Sequence, residues 1–299
     1  MKRAIAFLVV LLVGLTCLYF SQRRHDPTPV SANAVVAIAA DAQRDLSRAP
    51  MRLTRLSSDE EIAVGKELAA QYDSAGQLSP ENQAIESYIQ RVGHSVSLNA
   101  HRRLPYSFHL VPDKSMINAF SLPGGPVFVG EGMLDLMTSE DELAAVLAHE
   151  IEHIDHYHCA ERVQIEARLR SLQLDVVGAI VQIPLQVWEA GYNKDEEFEA
   201  DREGIRLAVL GGYSPYGAVS LFEKLGKLNS EYVIHAQSPE EELSQLAIQS
   251  LQGYFRSHPL PSERLARANS LIAREHWQDR KAQRPFRVEY EVQNGRFVK

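Results

Sequence analysis

Residues 146 to 158 read V-L-A-H-E-I-E-H-I-D-H-Y-H. On a helix, His149 and His153 share one face a turn apart, so two imidazole nitrogens can converge on one metal ion. Glu150 stands beside the first of them, where its carboxylate can take a proton from a metal-activated water. That is the zinc metallopeptidase arrangement. A short pattern of this kind also arises by chance in histidine-rich surface helices, but the flanks argue against chance here. Ser139 is placed as an N-cap with Glu142 as its capping-box partner, and Leu143, Val146 and Leu147 lay an apolar stripe along the same helix. The motif therefore falls in the second half of a well-specified, largely buried helix, where a histidine pair needs partners.

A two-histidine zinc site needs a third protein ligand that leaves one position open for water. The segment K-D-E-E-F-E-A-D-R-E-G, residues 194 to 204, supplies a candidate. Glu197 and Asp201 are four apart and share a helix face. Glu197 can reach the metal while Asp201 accepts the outer N–H of a ligand histidine, orienting the ring and raising its basicity. Glu196 and Glu199 fall off that face and are expected to be solvated. Cys159, directly after the cluster, is read as a helix residue and not a ligand.

These side chains must be positioned by the elements around them. Ser58 and Glu61 suggest a capping box for a helix with Ile62, Val64, Leu68 and Tyr72 on its buried side. A second helix carries Ile85, Tyr88, Ile89 and Val92 at helical spacing. Residues 105 to 112 alternate as a strand does, with His109 facing solvent. Pro123-Gly124-Gly125 is a turn between Ala119–Leu122 and Val127–Val129, so this region is expected to be a hairpin on a small sheet. An exposed strand beside such a site can hold extended substrate by adding it to the sheet, which singles out Asn118, Ala119, Phe120, Ser121 and Leu122. The apolar but interrupted stretch 172–188 is expected to be core or a groove lid. Gly211-Gly212 ends the helix of Glu197, Ser214 or Pro215 opens the next, and residues 229–254 form a polar insertion.

The segments N-A-F-S-L-P-G-G, D-E-L-A-A-V-L-A-H-E-I-E-H, the trailing His158, E-F-E-A-D-R-E-G and S-H-P-L-P-S-E-R resemble, in that order, the membrane-associated zinc peptidases that include HtpX, the CaaX prenyl proteases and the BepA type. The resemblance runs from about residue 57 to about residue 271. It implies His149, His153 and Glu197 as ligands of one Zn2+ per chain, Glu150 as general base and Asp201 as the partner behind a ligand. It also places His258 near the zinc, as an oxyanion stabiliser or an occupant of the open position, with Arg264 bracing nearby carboxylates. One departure stands out: the family's common Gly between Glu150 and His153 is Glu152 here, at a position expected to face away from the zinc. The elements make an α+β fold, mainly helical with a small antiparallel sheet beside the active-site helix, and the resemblance implies that it is zincin-like.

The chain has 299 residues and a formal charge of -8, so nothing suggests a nucleic-acid surface, and its two cysteines imply no disulfide framework. A basic start followed by the uncharged run Ala4–Phe20 suggests a signal anchor over 1–24, or else a signal cleaved near Ala32-Asn33-Ala34. A tether over 25–56, a peptidase domain over 57–280 and a tail over 281–299, whose alternation and Asn294-Gly295 suit a hairpin, complete the organisation. The expected location is the bacterial cell envelope, anchored in the inner membrane with the domain in the periplasm, or periplasmic after cleavage. The expected function is zinc-dependent hydrolysis of peptide bonds in unfolded, misfolded or membrane-linked envelope proteins. The alternative is a latent or inactive zinc-binding module of chaperone-like or adaptor type.

Overall fold

Caps and turn residues divide the chain. The structure, a computed structural model, describes residues 56–73, 78–162, 192–235 and 258–285. Helices α1 (Ser58–Asp73) and α2 (Pro80–Ser97) come first, followed by strands β1 (Ser107–Val111), β2 (Ala119–Ser121) and β3 (Pro126–Gly130). Helices α3 (Glu131–Asp135), α4 (Glu140–Asp155), α5 (Lys194–Leu210), α6 (Tyr216–His235) and α7 (Pro261–Arg274) follow. The architecture is the mainly helical α+β fold expected, with the small sheet beside the helix of His149 and His153.

The cap of α1 differs from expectation by one residue. Ser57 and Glu60 form the reciprocal pair, with Ser57 N–H donating to Glu60 Oε2 at 2.8 Å and Glu60 N–H to Ser57 Oγ at 3.3 Å. Glu61 is instead buried and paired with Arg102 at 3.0 Å. The two readings have the same local pattern; a tertiary partner for Glu61 decides between them.

Strand order is β1-β3-β2. β2 and β3 form the expected antiparallel hairpin, turning through Gly124 (φ 78) and Gly125 (φ 137), conformations that favour glycine. β1 lies parallel to β3, so the sheet is mixed and not purely antiparallel. Alternation in a strand shows which side chains share a face but not which neighbour the strand pairs with, so this was not legible beforehand. β2 is left as an edge strand, and its alternation separates two faces. Phe120 and Leu122 join Phe128, Val64 and Leu68 in a small core under α1. Ser121 contacts α4 through Glu150.

Helix α4 is buried along nearly all of its length. Its fit against α5 depends on Gly204, where an added Cβ would stand 2.9 Å from His149 N and 3.0 Å from its Cα. This close approach lays the Glu197 and Asp201 face of α5 directly over the histidines of α4. The helix α6 reaches His235, so the first residues of the expected polar insertion continue a helix.

The expectations of a membrane-spanning signal anchor, of the inner membrane as a partner and of an inner-membrane location are corrected. Among the described residues no helix is long and apolar enough to cross a membrane. Helix α6 has the length at 20 residues, but Glu223, Lys224, Lys227 and Glu231 interrupt it. Residues 1–24 and the tether, the 172–188 stretch, most of the polar insertion and the hairpin expected in the tail lie outside the described residues.

Candidate active site

The helix that carries the site is specified locally. Ser139 Oγ accepts from Glu142 N–H at 3.2 Å, and Glu142 Oε2 accepts from Ser139 N–H at 3.3 Å, the capping box expected from sequence. At the other end Tyr157 takes a positive φ of 64, which stops the helix and turns the chain back. Arg102 holds this corner, its guanidinium 3.8 Å over the Tyr157 ring and its NH1 donating to Ile154 O at 2.8 Å. The reversal places His158 behind His153, with their Nδ1 atoms 3.0 Å apart.

Helix α5 opens on Asn193, which forms its own capping box with Glu196. One turn in, Glu197 is fully buried. Its Oε2 lies 3.5 Å from His149 Nε2 and 2.6 Å from His258 Nδ1, and its Oε1 lies 3.6 Å from His153 Nε2. The two Nε2 atoms of His149 and His153 face each other at 3.1 Å. Ligand atoms of His149, Glu197 and His258 all fall within 4.8 Å of one another. Behind them Asp201 bonds His149 Nδ1 at 3.0 Å and receives Arg264 at 2.6 and 2.9 Å. The residues singled out in sequence, separated by up to 115 positions, thus meet in one buried cluster.

This cluster fits one zinc ion. Histidine nitrogens and a carboxylate are a donor set that zinc takes readily. Both outer Nδ1 atoms are engaged, one by Asp201 and one by His158, so both Nε2 atoms point inward. Glu197 Oε1 is buried without a hydrogen-bond partner among the described residues, the condition a cation would relieve.

Burial opposes a charged His149 ring, but Asp201 and Glu197 outweigh it and push its pKa up to about 9. Burial drives His153 well below the usual imidazole range, despite the attraction of Glu197. Burial would raise the Glu197 carboxyl, yet the charge of His258 and the His149 and His258 hydrogen bonds hold it well below the usual range. Asp201 is also lowered, as Arg264 and His149 overcome the burial penalty. Glu150 goes the other way: burial raises it, with His149, His258 and Ser121 opposing.

Three contacts were not foreseen. Ser121 Oγ donates to Glu150 Oε2 at 2.9 Å, tying the edge strand to the carboxylate beside the site. The signal was a polar residue inside an apolar strand, taken only as backbone for substrate. Tyr192 stacks on His153, centroids 3.9 Å apart and planes at 18°, and its hydroxyl contacts Cys159 Sγ at 3.0 Å. No sequence pattern marked it. Glu199, expected to be solvated, lies 3.5 Å from His158 Nε2. Its carboxyl is lowered to about 2, first by the His158 hydrogen bond. Cys159 contacts Ser121 and Tyr192, and burial pushes its thiol up to about 12. Glu152, where the family commonly has glycine, is buried and paired with His156 at 2.9 Å.

A buried cluster of His149, Glu197 and His258 able to hold one metal ion, with the H-E-x-x-H segment on the same helix as His149, defines the class as zinc metallopeptidase. The profile of peptidase family M48 matches residues 80–272, and the chain belongs to that family. It is 30% identical over 233 residues to a beta-barrel assembly-enhancing protease of Yersinia pestis, covering 72% of this chain and 44% of that one. It is 31% identical over 168 residues to the mitochondrial metalloendopeptidase OMA1 of Schizosaccharomyces pombe, covering 54% of this chain and 49% of that one. To the metalloprotease LoiP of Escherichia coli it is 26% identical over 184 residues, covering 57% of this chain and 71% of that one. The match thus spans less than half the length of the first two relatives.

Proposed function

We propose that this chain is a zinc-dependent endopeptidase that hydrolyses peptide bonds in misfolded or membrane-linked envelope proteins. The observation that carries the reading is the single buried cluster of His149, His153 and Glu197 with Glu150 beside it. The three hold the ion, and His149 is oriented from behind by Asp201 and Arg264. When bound, zinc polarises the scissile carbonyl and acidifies water. Glu150 takes the proton of the attacking water on its carboxylate and passes it to the leaving amine. Ser121 holds the Glu150 carboxylate toward the substrate strand. The strand Asn118–Leu122, along the β2 edge of the sheet, receives the polypeptide in extended form. The substrate class draws support from the protease relatives, one of which is named for beta-barrel assembly.

The test is cleavage of an unfolded, casein-like protein by the purified full chain beside its Glu150→Gln variant, with zinc measured in both. Cleavage by the unmodified chain alone, with zinc in both, supports the reading. Zinc in both with cleavage by neither refutes it in favour of a latent module. One observation favours latency: His258 Nδ1 lies 2.6 Å from Glu197 Oε2, within the donor cluster, where its ring can close the position needed by water. If that is its resting role, His258→Ala raises the rate; if His258 stabilises the oxyanion, the same change lowers it.

A further inference from the structure

The two histidines of α4 are backed in different ways. His149 Nδ1 meets a carboxylate directly, Asp201 at 3.0 Å, whereas His153 Nδ1 meets a second imidazole, His158 Nδ1, at 3.0 Å. Two ring nitrogens at that distance share one proton, so one donates and the other accepts. His153 Nε2 faces His149 Nε2 at 3.1 Å and Glu197 Oε1 at 3.6 Å, inside the donor cluster. A nitrogen that binds a metal there carries no proton, and a neutral imidazole then holds its one proton on Nδ1. His153 Nδ1–H therefore donates, and His158 Nδ1 accepts. The proton of His158 is left on Nε2, which lies 3.5 Å from Glu199 Oε2. Tyr192, stacked on His153 with centroids 3.9 Å apart, bars that ring from turning over and exchanging its nitrogens. Glu199 stands two residues from Glu197 and off the face that carries it; the reversal at Tyr157, where φ is 64, is what brings His158 to it.

We infer that Glu199 is a positioning residue for the metal site. By accepting the Nε2–H of His158 it holds that ring in the one tautomer that takes the Nδ1–H of His153, and so keeps His153 Nε2 open to the ion. The inference rests on the peptidase reading above, in which His153 is a ligand. The other tautomer shows what the carboxylate prevents. With its proton on Nδ1, His158 would donate to His153 Nδ1. The His153 proton would then sit on Nε2 and close the nitrogen that the metal needs. An ionised carboxylate accepts and cannot donate, so Glu199 selects against that arrangement. Arg202 lies 3.4 Å from Glu199 Oε1, which leaves Oε2 to His158. The arm is a carboxylate–histidine–metal arrangement lengthened by one imidazole.

The experiment uses the purified full chain, carrying isotope-labelled histidine and loaded with Zn2+. Long-range proton–nitrogen correlation spectra report which ring nitrogen of a histidine holds a proton, and the His158 signals are those lost in His158→Gln. His158 should be protonated at Nε2 alone. Glu199→Leu removes the acceptor at a partly exposed position, where the fold should hold. Glu203→Leu is the control: it removes the same charge from α5 at a carboxylate bonded to Arg202 and Arg206. In Glu199→Leu the two His158 tautomers should mix, and the zinc dissociation constant, read by competition with a chelator, should rise by about tenfold or more. Glu203→Leu should leave both as they are. A proton on His158 Nδ1 in the zinc-loaded chain overturns the proposal. So does a zinc affinity that Glu199→Leu leaves unaltered, or that Glu203→Leu lowers as much. Those results, obtained with a chain that takes up zinc and cleaves casein, leave the peptidase reading standing. A chain that takes up no zinc overturns the peptidase reading, and the tautomer assignment with it.

Discussion

At the scale of single residues, the site is a set of carboxylates and imidazoles each held by a second group. Ser121 matters through Glu150. Replacing it with alanine should lower kcat by about tenfold to a hundredfold, the worth of a hydrogen bond to a charged group, while KM and zinc content hold. Restoration of most of the rate by Ser121→Thr separates loss of the hydroxyl from a general disturbance of the strand. The imidazoles impose a pH dependence. An imidazole binds zinc only when neutral, and Asp201 and Glu197 outweigh burial to push the His149 pKa up to about 9. Zinc uptake must therefore displace a proton, and activity should fall as the pH is lowered. A rate that stays flat down to about pH 4 would remove the zinc assignment.

At the scale of elements, the decisive contact is α4 against α5. Gly204 lets the two backbones meet at His149, and a Cβ there would press on His149 N at 2.9 Å. Gly204→Val should separate the helices and lower zinc affinity by about 10- to 100-fold, the range seen when ligand orientation is disturbed. Equilibrium zinc competition would show it, and unaltered affinity would mean that α5 is positioned by other contacts. The end of α4 adds a titration. His156 bonds the buried Glu152, and this hydrogen bond, against some burial penalty, pushes its pKa up to about 9. A pKa raised in the folded state stabilises fully below the unfolded value near 6.5 and is lost as pH rises through about 9. His156→Gln should remove about 1–2 kcal/mol at pH 6 and much less at pH 9.5. Denaturant unfolding at the two pH values would check it; an equal loss at both would assign the effect to packing.

At the scale of the whole molecule, buried charge is gathered where α4, α5 and α7 meet, and its stability is tied to the metal. Because the unfolded chain cannot assemble this donor set, zinc binds the native state preferentially and raises stability by mass action. Chelation should lower the thermal midpoint, by several degrees if zinc is present at about 100 times its dissociation constant, and zinc should restore it. An unchanged midpoint after verified removal of zinc would show that the cluster supports the fold unaided.

The sequence by itself determined what local chemistry can write. Ser139 and Glu142 specified the start of α4, the spacing of His149 and His153 specified a shared face, and Glu197 and Asp201 were readable as two carboxylates on one face of the next helix. Pro123-Gly124-Gly125 specified the hairpin turn, since its glycines accept backbone angles that other residues resist. Only the tertiary structure decided what depends on partners distant in the chain. It placed β1 parallel to β3, moved the α1 cap to Ser57 by giving Glu61 to Arg102, turned Ser121 onto Glu150 and stacked Tyr192 on His153. It also paired the buried Glu152, a departure from the family pattern, with the partly exposed His156. The physical reason is the same throughout: periodicity and capping are fixed by neighbours within a turn of helix or a strand repeat. Burial, pairing and pKa depend on which surfaces the folded chain brings within hydrogen-bonding reach.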